Sequence, residues 1–182
     1  MSEPNLTDQL RRLDNLVRFG TIAEVDLTTA TARVTSGGIT TDFLPWLTFR
    51  SGTSQTWSAP TVSEQCVVLS ASGEFTTGVI LLGLYIQNAP SQSADEHLFK
   101  FSDGAEISYN TASGQLTAKN CKVVIVQASE QIELNTPLVK ATQNMEIGGD
   151  LSVKGSVSVG NDVTAGDISL KNHVHGSSPK PS

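Results

Sequence analysis

The sequence predicts an all-β protein with one N-terminal helix, arranged as a small barrel followed by a rod of very short strands. Three observations carry that reading. Runs rich in Thr, Val and Ile alternate with Gly- and Ser-containing turns from Phe19 to Ile86. Apolar residues recur at helical spacing near the N-terminus, at Leu6, Leu10, Leu13 and Val17. A repeat of about six residues runs from Gly149 to Lys171.

The helix is read over residues 6–18, inside an N-terminal segment 1–18, with Asn5 as its cap and Gly20 as its stop. A lone amphipathic helix buries its stripe either on its own domain or against a partner subunit.

Residues 19–90 form the barrel. Phe19–Val25, Ala32–Thr35, Ile39–Phe43, Gln65–Ser70 and Val79–Tyr85 are the candidate strands. Five strands in so short a span fit an OB-like barrel. That fold often binds oligonucleotides, but the region has no basic stripe and its aromatics are not interleaved with Lys or Arg. Trp46 and Trp57 flank a Gly/Ser/Thr loop and read as core or subunit-interface residues. Residues 91–102 follow a Pro/Ser/Ala-rich break and read as a linker, with His97 exposed beside Asp95 and Glu96.

Composition narrows the function. The chain has 182 residues with 12 basic and 18 acidic side chains, for a net charge of −6, which argues against nucleic-acid partners. Only 16% of it is charged, while 21 Ser and 19 Thr supply hydroxyls. Every Arg precedes residue 90 and every Lys follows it, consistent with two modules. The start, MSEPNLTDQL, lacks a secretory signal. The longest apolar run, Gly78 to Ile86, is far short of the ~20 residues of a membrane span. Cys66 and Cys121 adjoin apolar runs and are expected to be buried free thiols, in a protein that folds in the producing cell's cytoplasm.

Residues 103–171 carry the rod. Ile107–Tyr109, Leu116–Ala118, Val123–Ile125 and Ile132–Leu134 are each long enough for two side chains on one face. In the repeat proper the like-facing pairs are Leu151/Val153, Val157/Val159, Val163/Ala165 and Ile168/Leu170, with Ser or Thr between them. Gly149, Gly155, Asn161 and Gly166 head the repeats and supply turns, and the repeat starting at Asn161 is one residue short. So short a strand cannot cover its own apolar face. Its neighbours are either further coils of one chain or equivalent strands of other chains. Few coils with two apolar residues each favour three chains wound on one axis, which also removes the open strand edges.

Segment 172–182 ends the chain. His173 and His175 stand two apart, so on a strand both imidazoles share a face, with Cα atoms roughly 6.6 Å apart. By itself the pair reads as part of a solvated tail, and one chain supplies two ligands, a poor metal site; at the end of a rod of three chains on an axis it would supply six nitrogens, enough for an octahedral divalent metal such as iron(II).

Taken together, the helix, the barrel opening at Gly20-Thr-Ile-Ala-Glu-Val-Asp26, the short-repeat rod and the terminal His173-Val-His175 resemble the baseplate assembly protein V family, the central spikes of P2-like contractile phages and R-type pyocins. The resemblance covers essentially the whole chain. It implies an OB-like barrel followed by a trimeric triple-stranded β-helix, a homotrimer whose barrels bind the tail hub and baseplate and whose needle pierces the target outer membrane on sheath contraction. It implies a phage virion tail baseplate or pyocin particle as the location, no catalytic residues, and a structural iron ion held at the tip by His173 and His175 of three chains.

Three other classes share some of these features. Trimeric left-handed β-helix acyltransferases also use hexapeptide repeats, but with one large aliphatic per repeat over many coils. A carboxylate-pair hydrolase would need Glu130 and Glu133 as its pair, and their spacing reads instead as outward, solvated positions. A receptor-binding fibre tip would show exposed aromatics along its rod, whereas Tyr109 is the only Tyr or Trp after residue 100.

Overall fold

A computed structural model describes residues 5–173. The chain is mostly β with one short helix, and it separates into two compact units, Met1–Val124 and Ile125–Ser182.

Helix α1 spans Leu6–Asn15 and is capped as the sequence predicts, with Asn5 accepting the Thr7 N–H through its side chain. Asp8 in its first turn binds both Arg11 and Arg12, which holds its carboxyl below the usual carboxylate range. The helix ends earlier than the apolar spacing implies. Leu16 O accepts Ser70 N at 2.9 Å, and β1 begins at Val17 paired with Leu69. Cross-strand pairing therefore captures the last apolar residue of the helical stripe. Leu6, Leu10 and Leu13 remain more than half exposed, so the stripe is not buried on its own domain.

Strands β1 (Val17–Asp26), β2 (Thr31–Ser36), β3 (Ile39–Thr40), β4 (Leu44–Pro45), β5 (Gln65–Leu69) and β6 (Val79–Leu81) form one sheet in the order β3-β2-β1-β5-β6, with β4 also on β2. All these pairings are antiparallel. Just after β4, Trp46 bridges Ile80 of β6 and Leu47 N donates to Ile80 O, joining the two ends of the sheet at one point. Alternation puts Ala32 and Val34 of β2, Cys66 and Val68 of β5, and Ile22 of β1 into the core with Leu44, Phe75 and Ile80. Gly20 lets β1 and β2 close over this core, since a Cβ there would lie 2.4 Å from Val34 Cγ1.

Three further strands, β7 (Glu96–Lys100), β8 (Glu106–Asn110) and β9 (Gln115–Lys119), make an antiparallel meander. The segment 91–102, read from sequence as a linker, thus contains a strand, and exposed His97 stands on it opposite Tyr109. Glu106 faces Lys100 on one side and Lys119 on the other, pairing with Lys119 Nζ at 2.8 Å. Cys66 is buried as expected. Cys121 is exposed, contrary to expectation: it follows Asn120, whose positive φ turns the chain out of β9, and no strand covers it.

The second unit has little regular structure of its own. Ile132–Leu134 forms no strand, nor does the stretch 151–159, and Val123–Ile125, which spans the boundary of the two units, forms none either. Among its described residues, the short strands are β10 (Thr164–Ala165) and β11 (Ile168–Ser169), which make a hairpin. From residue 125 to 173 every side chain is exposed except Asp162 and Ser169, which are half-buried.

Candidate functional site

The described residues form no cluster of three or more His, Cys, Asp or Glu side chains able to hold a metal. Glu130 and Glu133 are exposed, as are their apolar neighbours Ile132 and Leu134. Trp46 packs against the barrel core, while Trp57 is 65% exposed with its ring 5.6 Å from that of Trp46. The features that remain to be explained are the uncovered apolar side chains of the second unit and the turn that ends it.

The apolar side chains are those the repeat places on one face. Leu151 and Val157 are 69% and 67% exposed, and Val153, Val159, Val163, Ile168 and Leu170 are also open to solvent. A soluble chain seldom leaves so long a series of aliphatic side chains uncovered, so the series marks a surface for association.

The terminal turn is built by hydrogen bonds. Gly166, at a φ of +60°, and Asp167 turn the chain between β10 and β11. Asp162 Oδ1 accepts the N–H groups of Val163 and Lys171 at 2.8 and 3.0 Å, and Oδ2 accepts the Ser169 hydroxyl. The hydrogen bond from Ser169, then that from Lys171, holds the Asp162 carboxyl below the usual carboxylate range. Ser169 Oγ accepts Asn172 N at 3.0 Å, and Ser169 O accepts His173 N at 2.9 Å.

His173 is exposed, and its Nδ1 lies 2.8 Å from Leu170 O. A carbonyl only accepts, so Nδ1 is the donor in this contact. A backbone carbonyl orients a metal-ligating imidazole through the same kind of bond. His173 thus fits a metal-ligand role. His175, its expected companion, lies outside the described residues. Sequence reasoning names His173 and does not single out Asp162 and Ser169, which the structure brings to the same turn; the signal available was the shortened repeat at Asn161, where the hairpin interrupts the six-residue rhythm.

The chain thus carries one helix, a β-domain and a repeat whose apolar side chains need neighbours. Comparison with known proteins agrees at both ends of the chain. Residues 18–85 match the type VI secretion system/phage-baseplate injector OB domain, and residues 120–177 match the phage spike trimer family. The chain is 40% identical to the spike protein of Escherichia phage P2, covering 93% of this chain and 89% of that protein. It belongs to this family of phage baseplate spike proteins.

Proposed function

We propose that the chain is the central spike of a contractile tail, a homotrimer whose C-terminal part is a triple-stranded β-helix needle that pierces the target outer membrane on sheath contraction. The observation that carries this is the uncovered aliphatic series from Ile125 to Leu170. Three copies around one axis would bury that series three times over and give each short segment a strand neighbour, closing edges that one chain leaves open. The exposed Leu6, Leu10 and Leu13 stripe is a separate apolar face at the other end of the sequence, suited to the hub and baseplate partners. The role is mechanical and requires a stiff, slowly unfolding object in place of a catalytic site.

At the tip, His173 and His175 from three chains would hold an iron ion. When bound, the ion supplies cross-linking of the three chain ends and no open coordination position. The residues themselves do the positioning: Leu170 O accepts from His173 Nδ1, and the Ser169 carbonyl accepts from its backbone N–H.

The test uses whole particles in which this chain ends at Val124. They should adsorb and contract normally but leave the outer membrane closed to an externally added hydrophobic dye. Breach at the normal rate by such particles would contradict the piercing role.

A further inference from the structure

We infer that Asp162 is the positioning residue of the tip: its single carboxylate joins the head of the last hairpin to the turn that carries His173, and so sets where that imidazole points. The inference rests on the reading of His173 as a metal ligand, but its structural half stands without it.

The hairpin needs such a device. Strands β10 and β11 are two residues each, too short to be stable by ladder hydrogen bonds alone. Three donors from separate parts of the segment, the Val163 and Lys171 amides and the Ser169 hydroxyl, converge on Asp162. A carboxylate suits that place because it accepts at both oxygens, and hydrogen bonds to an ionised acceptor are about twice as strong as neutral ones. From Ser169 the network continues to the Asn172 amide and the His173 amide, and the Leu170 carbonyl accepts a hydrogen bond from His173 Nδ1. Leu170 is itself held to the hairpin by its N–H to Val163 O at 3.0 Å. These links from Asp162 to the imidazole are hydrogen bonds. Asp150 and Asp167 follow the leading Gly of their repeats as Asp162 follows Asn161, yet both are exposed and gather no such set of donors. Asp162 and Ser169, the two partly buried residues among those described in the unit, are the pair at the centre of the network.

The experiment compares the full-length chain with Asp162→Ala and Asp162→Asn. Hydrogen exchange of the Lys171, Asn172 and His173 amides is followed without metal, and affinity and visible spectrum are then recorded with Co(II) as probe. Asp162→Ala should speed exchange of the three amides at least tenfold and weaken Co(II) binding roughly 10- to 100-fold, the range for lost orienting partners of a metal-bound histidine. Asp162→Asn keeps an acceptor oxygen for the two amides and should fall between, a graded rescue that general destabilisation would not give. Unchanged exchange in Asp162→Ala overturns the inference whatever the metal does. Faster exchange with wild-type Co(II) affinity and spectrum overturns its link to the metal. If the wild type binds no Co(II) while exchange still accelerates, Asp162 remains the positioning residue of the turn and the metal reading fails instead.

Discussion

Thr41 and Val34 are bound to each other twice, with Thr41 N donating to Val34 O and Val34 N donating to Thr41 Oγ1, each at 2.9 Å. Thr41 is 1% exposed and lies just past β3, so its hydroxyl replaces the ladder partner that Val34 would otherwise lack. Thr41→Val keeps shape and volume but leaves the Val34 amide buried without an acceptor. Loss of about 1–3 kcal/mol is expected in chemical unfolding of the barrel, with Thr41→Ser losing distinctly less.

Gly73 seats the helix. It has a φ of +69°, and a Cβ there would lie 2.4 Å from the Arg12 carbonyl oxygen. Its own carbonyl accepts Asn15 Nδ2 at the end of α1. Gly73→Ala should cost at least the ~1–2 kcal/mol of forcing a side chain into the left-handed region, and the clash should loosen α1. Limited proteolysis checks this, with cleavage expected near residue 16 in the variant and not in the wild type.

Burial pushes the Cys66 thiol from its ordinary 9.0 up to about 11, with the nearby Glu64 charge adding to the shift. The thiol in the unfolded chain ionises first, so the stability this group contributes is fully present below pH 9. It is lost as the pH rises from 9 through about 11. Unfolding of Cys66→Ala, followed over that range, should show a shallower decline than the wild type, and native Cys66 should resist alkylation at neutral pH.

In the second unit, inward and outward positions separate by substitution. Val157→Asp should place one carboxylate per chain in the buried axis of the trimer, at several kcal/mol per ion, and disrupt trimer assembly. Ser158→Asp, on the opposite face, should leave assembly unchanged. Sedimentation of the two variants distinguishes them.

Much of the barrel was legible because its strands are half-buried and alternate: β2 and β5 follow from the sequence nearly to the residue. The C-terminal end of α1 was not, because Val17 extends the helical period while its actual partner, Leu69, is 52 residues away. Strand β7 lay hidden behind the break at Pro90 and Ser91, since its neighbour β8 comes later in the chain. In the rod the repeat reveals which residues share a face, yet a strand also needs a hydrogen-bonded neighbour, and one chain offers none between residues 151 and 159. His173 stood out by its type and position. Asp162 did not, because its role depends on Ser169 and Lys171 folding back to it across the hairpin.

The central claim is that the working object is three chains. Light scattering coupled to size exclusion on the full-length protein measures this most directly. A mass of three 19.3 kDa chains, independent of concentration in the micromolar range, is the predicted result. A stable species of 19.3 kDa would contradict the account, because the aliphatic series from Ile125 to Leu170 would then have nothing to cover it.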